Sequence, residues 1–436
     1  MDDWKTFVPE NMSGKKSQLL GRNAERTLRE NRSLLLRLIK KGGSLTRKEL
    51  AARSGLQPAT VSSILNDLMR MGLVEEAGVT ARGHGRRAMG FRLVSRYCTF
   101  VINFGTGFMS VVAYDIEMNP LFRSTRECNA LENLGAACDL AAAEVALAKG
   151  TLASLQILGA SVSVEGGIFR ILDQQYQLFH PGKGTYFDIA QALSSRIGMF
   201  VTVNRMSNFA AYYLWDCHHR NGPGTLIALC IGECVEYGVV VNGNILNGEN
   251  GMGGVLGRMV SSRRGEEGGI TVNEQISPSA LLRRTEELLP EYPTSSLAAH
   301  PSGLTPYHLM QAYESGDPLA VRIFDECGQL CGRIVAWLVQ LLDPGVVFLG
   351  GNIPCSESFL RKVGGSAARI LRAGISVDGD GPTPVIRVSG LRGDFTLMGP
   401  EQYRHPQDDP ARLGAAEYLF DEVLGSKAFW ENACPP

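Results

Sequence analysis

The chain has 436 residues, of which 44% are hydrophobic and 20% are charged, a composition ordinary for a globular protein of about three domains. It contains no run of the roughly 18 apolar residues that span a bilayer, and its first residues lack the basic and apolar segments of a secretory leader. These features exclude a membrane protein and predict a cytoplasmic one without a membrane partner.

The near-neutral net charge of −1 conceals an uneven distribution along the chain. Residues 1–97 hold 19 Lys and Arg against 9 Asp and Glu, a net charge of +10, and the remainder carries −11. A basic module joined to an acidic body indicates a polyanionic partner for the first part only. Chance clustering of the basic residues is the alternative.

The N-terminal pattern predicts a flexible arm over residues 1–20 and a winged helix-turn-helix over 21–96. Apolar residues recur at helical spacing over residues 23–41, and two glycines follow. Thr46 and Glu49 have the spacing of a capping box at the start of a second helix, which Gly55 can end. Pro58 suits the first turn of a third helix.

The third helix is the expected recognition helix, because its apolar side leaves small polar residues on the other faces. Its apolar residues are Val61, Ile64, Leu65 and Leu68. The residues expected to contact base edges or phosphates are Gln57, Thr60, Ser62, Ser63 and Asn66. A glycine-rich hairpin then follows, and its expected DNA contacts are Arg82, His84, Arg86 and Arg87. The alternative is a solvated basic loop beside three ordinary helices.

Beyond residue 96, strands alternate with helices, which predicts a two-lobed α/β body over residues 97–425 and a C-terminal tail over 426–436. The expected strands cover residues 99–107, 109–114, 157–164, 200–203, 225–232, 236–241 and 345–351. The expected helices cover residues 134–149, 188–197 and 318–342.

The order of these motifs resembles the ROK family of repressors, open reading frames and kinases. The resemblance is carried by the winged helix, Asn-Phe-Gly-Thr-Gly at 103–107, the glycine-rich run at 248–259, Gly350-Gly351, and Leu-Gly-Ala-Ala at 413–416. It implies an α/β fold class, with a winged helix-turn-helix followed by a two-lobed actin-like ATPase body.

The catalytic motifs of the family's kinases are degenerate in this chain. Their first phosphate loop begins with an Asp, where this sequence has Asn103, and an amide does not replace a carboxylate at a Mg²⁺ site. Their second phosphate loop is glycine-dense, whereas Glu233 and Glu236 stand here. Met206, or Arg205 if the match slides by one residue, takes the place of the catalytic Asp. Asp188 and Asp216 are carboxylates in other contexts.

The family's zinc motif is also lost, so the sequence predicts no metal site and no cofactor. Arg258 replaces the His ligand, and Ser262, Arg264 and Gly269 replace the three Cys ligands. The ten cysteines include no Cys-x-x-Cys pair, and we expect them to be reduced. Cys327 and Cys331 share one face of a predicted helix and are expected to pack in the core.

Two interpretations of the arginines near the lost sugar motif stay open. Arg205 and Arg258, with Arg263 and Arg264, could line a pocket for an anionic sugar acid or sugar phosphate. Alternatively, the cleft binds nothing, and these arginines are solvated or paired with neighbouring glutamates.

Together these features predict a non-enzymatic DNA-binding regulator, in the manner of the family's repressors of carbohydrate-related genes. The expected partners are double-stranded DNA with an inverted-repeat operator, a second copy in a homodimer or a higher homo-oligomer, and a sugar or sugar-derived effector. A sugar kinase with altered motifs and a ligand-free pseudo-kinase that binds other proteins are the alternatives.

Overall fold

A computed structural model describes most of the chain. The described residues are 24–78, 89–105, 107–128, 130, 133–165, 169–172, 175–180, 185–218, 224–248, 253–263, 269–300, 303–354, 356–373, 385–388, 410–426 and 429–430. The predicted arm at 1–20 lies outside them. Among the described residues, no helix combines the length and apolarity of a membrane span.

The N-terminal domain, here called the head, is the predicted winged helix-turn-helix. Its elements are α1 (Ala24–Gly42), β1 (Leu45–Thr46), α2 (Arg47–Ser54), α3 (Pro58–Arg70), β2 (Val74–Gly78) and β3 (Met89–Leu93). Thr46 and Glu49 form the predicted capping box, and Gly55 ends α2 in the left-handed conformation with φ 69°. Pro58 opens α3 as predicted, and the four apolar residues of α3 are buried.

The N-terminal lobe of the body is built on a five-stranded sheet. Its elements are β4 (Tyr97–Gly105), β5 (Phe108–Asp115), β6 (Pro120–Glu127), α4 (Leu134–Thr151), β7 (Gln156–Val164), β8 (Phe169–Leu172), β9 (Gln175–His180), β10 (Thr185–Asp188), α5 (Ile189–Ile197) and β11 (Val201–Arg205). The sheet order is β11-β7-β4-β5-β6, in which β11, β7 and β4 run parallel. Since parallel strands end at one edge, the carboxyl ends of β4, β7 and β11 lie together, next to the contact between the two lobes that we call the cleft.

The C-terminal lobe has a second five-stranded sheet, in the order β14-β13-β12-β17-β18. The strands after β11 are β12 (Thr225–Ile231), β13 (Val235–Val241), β14 (Asn244–Ile245), β15 (Val260–Arg263), β16 (Gly269–Thr271), β17 (Val346–Gly351) and β18 (Val385–Val388). The helices are α6 (Met206–His218), α7 (Asn273–Ile276), α8 (Pro278–Leu288), α9 (Pro306–Glu314), α10 (Pro318–Leu342), α11 (Glu357–Ala373) and α12 (Pro410–Gly425).

All the strands and helices predicted for the body are present, with ends shifted by a few residues. Helix α10 covers the predicted 318–342, and β12 pairs with β13 as an antiparallel hairpin. The sequence pattern did not predict α6 or the β8–β10 meander. Helix α6 follows β11 directly and, since it is buried on most sides, lacks the one-sided apolar stripe that marks a surface helix.

The head and the body are joined where α1 packs against α12, a contact we call the seam. Ser33 of α1 is buried and donates from Oγ to the carbonyl oxygen of Leu424 at 2.7 Å. The indole Nε1 of Trp430 donates to the same carbonyl oxygen at 2.8 Å. Phe429 and Trp430 lie in the predicted tail, yet both are buried in the same apolar cluster as α1. The last described residues of the chain are therefore part of the head's core.

Opposite charges line the seam, because basic α1 faces acidic residues of α12 and α6. Lys40 lies 3.9 Å from Glu417, Arg37 lies 3.8 Å from Asp421, and Lys41 pairs with Asp216 of α6. The Lys40 ammonium also lies 5.2 Å from the centre of the Phe420 ring.

Replacing Trp430 with Ala should lower the free energy of unfolding by about 3 kcal/mol or more, because it removes a buried indole and its hydrogen bond to Leu424. Denaturant unfolding monitored by circular dichroism measures the change. Leu341→Ala is the control, since Leu341 is 75% exposed and its loss should change stability by less than about 0.5 kcal/mol. Equal stability of the Trp430 variant and the wild type would contradict the burial of Trp430 at the seam.

The seam should also make stability depend on pH through Glu417. Burial raises the pKa of Glu417 from its ordinary 4.5 to about 7, against the opposing effect of Lys40. Between these values the folded chain holds more protons than the unfolded chain, so stability falls as the pH rises from 4.5 to about 7.

Accordingly, Glu417→Gln should raise the melting temperature by about 3 °C or more at pH 8 and leave it unchanged at pH 5. Differential scanning fluorimetry at the two pH values measures this difference. Glu357→Gln is the matched control, because the Glu357 side chain is 83% exposed. A Gln variant that is less stable than the wild type at pH 8 would show that the carboxylate is needed in its charged form.

Candidate nucleic-acid interface and interlobe cleft

The exposed side of α3 carries the polar residues predicted to contact DNA. Ser63 and Asn66 are exposed, and with Ala59 and Arg70 they lie three or four residues apart on one stripe, opposite the buried apolar residues. Thr60 and Ser62 flank this stripe and are half-buried. Gln57 is the N-cap residue of α3 and is exposed, and it makes no side-chain capping bond. The stripe is therefore open to a partner along its whole length.

The wing residues Arg82, His84, Arg86 and Arg87 lie outside the described residues. Strands β2 and β3, which lead into and out of that segment, pair in antiparallel register as far as Gly78 and Met89. The assignment of the four wing residues to DNA contact stays a prediction.

Basic residues that the motif analysis did not single out flank the recognition stripe. Arg47 and Lys48 are exposed in the first turn of α2, and the Arg47 guanidinium lies 4.7 Å from the centre of the Phe91 ring. Asp67 of α3 accepts a hydrogen bond from Arg32 of α1 at 2.8 Å and pairs with Arg70. The sequence could have indicated them, because Arg47 and Lys48 stand beside the capping box and Arg70 stands at the last turn of α3. Asp67 fixes α3 against α1, so the recognition helix is held by the same helix that forms the seam.

In the body, an uncharged polar row crosses the N-terminal sheet at the cleft. Ser110, Asn103, Ser163 and Asn204 are register neighbours on β5, β4, β7 and β11, and all four are buried. Asn103 stands where the family's kinases have a carboxylate. The row offers hydrogen bonds but no negative charge that would hold a divalent cation.

Arg205 and Glu236 are both buried near the contact between the two lobes. Arg205 is the last residue of β11, is fully buried, and donates from Nη2 to the carbonyl oxygen of Gly253. Glu236 of β13 is 2% exposed and accepts from the backbone amide of Ser207, at the start of α6, at 3.2 Å. Glu165 follows β7 and accepts from the amide of Cys234 at 3.3 Å. Residues of both lobes thus hold one another across the cleft.

Burial and neighbouring charges shift the pKa values of the ionisable groups in the cleft. Burial lowers the pKa of Arg205, and the negative charge of Glu236 opposes that shift. Burial raises the pKa of Glu236 to about 7, with Glu165 adding to the rise and Arg205 opposing it. Burial, Glu236 and Glu165 raise the pKa of the Cys234 thiol, and Arg258 opposes them. Cys234 is therefore a protonated thiol at neutral pH and not a nucleophile.

At the positions matched to the catalytic Asp of the kinases, this chain has Arg205 and Met206, and neither is a carboxylate. Met206 is buried at the first position of α6, where a catalytic Asp would stand. Asp188 accepts from the amide of Gln191 as the N-cap of α5, and Asp216 pairs with Lys41 at the seam. Both of these carboxylates, which the sequence places in other contexts, are thus engaged in structural contacts.

The two arginines predicted to bind an anion occupy different environments. Arg205 lies in the interior, whereas Arg258 is exposed. The side chains of Ser262 and Arg263, and all of Arg264, lie outside the described residues. Within the described part of the chain, no group of three or more His, Cys, Asp or Glu side chains is placed to hold a metal ion. Cys327 and Cys331 are buried in the core of the C-terminal lobe as predicted, with their sulfur atoms 4.0 Å apart.

Comparisons with known proteins match both parts of the chain. The ROK family profile matches residues 150–398, and a winged helix-turn-helix DNA-binding profile matches residues 28–75. A glucokinase of Thermotoga maritima is 28% identical over 44% of this chain, which spans 61% of that enzyme's length. An N-acetylglucosamine repressor of Escherichia coli is 23% identical, over 76% of this chain and 82% of its own.

A solved structure shares the fold of nearly the whole chain. The crystal structure of a ROK family transcriptional regulator, a homologue of the E. coli MLC protein, superposes with a TM-score of 0.68. The superposition covers 92% of this chain and 98% of that one at 18% identity. The winged helix-turn-helix and the two-lobed body therefore occur together in that fold, as they do here.

The cleft should not tolerate a side chain at Gly238. A Cβ atom there would overlap the carbonyl oxygen of Ser207, so Gly238→Ala should lower the free energy of unfolding by about 2 kcal/mol or more. Gly150→Ala is the matched control: Gly150 lies in α4, and an added Cβ would meet no atom within 4 Å. That control should gain about 0.5 kcal/mol, because Ala favours a helix. Thermal unfolding measures both changes, and equal effects of the two would contradict the close approach of β13 to α6.

Proposed function

The chain belongs to the ROK family, and from this premise we propose that it is a DNA-binding transcriptional regulator whose body does not catalyse phosphoryl transfer. The observation that carries the proposal is the exposed stripe on α3, with Ser63, Asn66 and Arg70 in line on the outer side of a helix-turn-helix. Small polar side chains and an arginine in that position are suited to base edges and phosphates in the major groove.

The proposed regulator acts as a homodimer, or a higher homo-oligomer, on an inverted-repeat operator. One recognition helix reads only a half-site, so two heads related by a two-fold axis are needed for a site of ordinary length. Selection of random duplexes with the purified full chain tests this, with recovery of a palindromic motif expected. Recovery of no motif, together with no salt-dependent retention on DNA, would overturn the proposal.

The genes under control are proposed to be carbohydrate-related, with a sugar or sugar-derived effector. Support comes from two of the relatives, a glucokinase and an N-acetylglucosamine repressor, whose names both refer to a sugar. Arg205 and Arg258 are the candidate contacts for an anionic effector such as a sugar acid or sugar phosphate. A thermal-shift screen of sugars, sugar phosphates and sugar acids tests this, since a ligand of the folded state raises its melting temperature.

A sugar kinase is the second candidate, because a glucokinase is among the relatives. It would need a carboxylate base at the start of α6, where Met206 is buried, and a phosphate loop free of the Glu236 carboxylate. ATP-dependent phosphorylation of any sugar in a panel, abolished by a variant of the cleft, would establish this candidate in place of a regulator without catalytic activity.

Replacing Ser63 and Asn66 together with Ala should weaken operator binding by about tenfold or more, since each good base contact contributes about 1–3 kcal/mol. Non-specific binding to an unrelated duplex should change little, because phosphate contacts by basic residues supply it. Fluorescence anisotropy at two salt concentrations measures both affinities. Ser315→Ala is the control, as Ser315 is exposed at the end of α9, far along the chain from the head. An unchanged operator affinity of the double variant would rule out α3 as the recognition helix.

A further inference from the structure

We propose that Arg32 of α1 is a positioning residue for DNA recognition, which couples Trp430, near the end of the chain, to the recognition helix α3. Its guanidinium donates a hydrogen bond to Asp67 of α3 and lies over the Trp430 ring. The coupling, here called the relay, runs from Trp430 through Arg32 and Asp67 to Arg70. This inference rests on the proposed recognition of DNA by α3.

The relay begins at a tryptophan that is anchored to the body. The Trp430 indole Nε1 donates to the carbonyl oxygen of Leu424, near the end of α12, at 2.8 Å, and lies 3.3 Å from Ser33 Oγ. The Trp430 side chain is buried and packs edge-on against Phe429, with ring centres 5.2 Å apart. The position of the ring is therefore fixed with respect to α12.

Arg32 connects that ring to the recognition helix. The guanidinium carbon lies 5.7 Å from the centre of the Trp430 ring, within the range of a cation–π attraction. Its Nη2 atom donates to Asp67 Oδ2 at 2.8 Å. The side chains of Arg32 and Asp67 are only 15% and 17% exposed, so salt screens their attraction less than that of a pair on an open surface. An arginine enclosed in this way serves α3 and not a DNA phosphate.

Asp67 extends the constraint to the exposed side of α3. Its Oδ2 atom accepts from Arg32, and its Oδ1 atom pairs with Arg70 of the recognition stripe, whose side chain is 79% exposed. One carboxylate therefore holds an inner and an outer arginine together. A side chain that is held before binding loses less conformational entropy when it contacts DNA. Without Arg32, the Asp67 carboxylate can rotate, and Arg70 moves with it.

Arg37 gives a matched control for the loss of Arg32. It lies on the same helix, 3.8 Å from Asp421 of α12. It thus contributes to the seam and to the positive charge of the head, as Arg32 does. Within the described part of the chain, its ion-pair partner belongs to the body and not to α3.

Fluorescence anisotropy of the full-length protein, with its selected operator and with an unrelated duplex, tests the relay. Arg32→Met keeps an unbranched side chain but cannot bond to Asp67, so affinity for the operator should fall about tenfold. Affinity for the unrelated duplex should stay within about threefold, because the enclosed Arg32 supplies no phosphate contact. Arg37→Met should leave both affinities within about threefold of the wild type. Arg32→Lys restores a cation for Asp67 and should recover most of the lost operator affinity.

Hydrogen–deuterium exchange tests the relay without DNA. Amides in residues 62–70 should exchange about fivefold faster in Arg32→Met than in the wild type, because α3 loses its bond to α1. Trp430→Phe keeps an aromatic ring but loses the indole donor, and it should speed exchange in the same segment. Arg37→Met should stay within about twofold of the wild type there.

The relay is overturned if Arg32→Met keeps the wild-type ratio of operator affinity to affinity for the unrelated duplex. Equal losses in Arg32→Met and Arg37→Met would also overturn it, since the charge of the head would then explain both. If the wild type selects no operator, the proposed function fails, and exchange in residues 62–70 alone decides whether the relay exists. If Arg32→Met does not fold, Trp430→Phe decides by the same criteria.

Discussion

The burial of α12 on three sides is the constraint on which the rest of the molecule depends. One end of this helix meets the N-terminal sheet, where Ser161 Oγ donates to the Ala415 carbonyl oxygen at 2.7 Å. A second side lies so close to α6 that a Cβ atom on Gly414 would overlap the Phe209 carbonyl oxygen. The third side receives α1 through Ser33 and Leu424. The N-terminal sheet, α6 and the head are therefore all positioned by one element.

The head could be predicted almost completely from the sequence, because its signals are local. Thr46, Gly55 and Pro58 each start or end a helix through backbone positions only a few residues away. The seam could not be predicted, since Ser33 and Leu424 are 391 residues apart and α12 is apolar on several sides. A helix buried all round shows no periodic stripe that would reveal its partners.

The sequence shows which kinase residues are replaced in the cleft, but it does not show where the replacing side chains lie. The sequence indicated that Asn103, Met206 and Glu236 do not suit a kinase, because that argument needs only residue chemistry. It grouped Arg205 with Arg258, but the structure buries the first and exposes the second. The carbonyl oxygen of Gly253, which accepts from Arg205, lies forty-eight positions along the chain, and only the fold brings the two together. Side-chain direction at the end of a strand is set by tertiary packing, which a local pattern does not encode.

The seam joins the first described helix of the chain to the last, and synthesis proceeds from one to the other. While a ribosome is making the body, the apolar residues Leu35, Leu36 and Ile39 of α1 have no α12 to cover them. The head can close its own small core during that time, but it reaches its fixed place only after Trp430 has emerged. A chain whose translation stops short would carry a recognition helix on an undocked head. Correct placement of that helix thus reports that the whole body has been made.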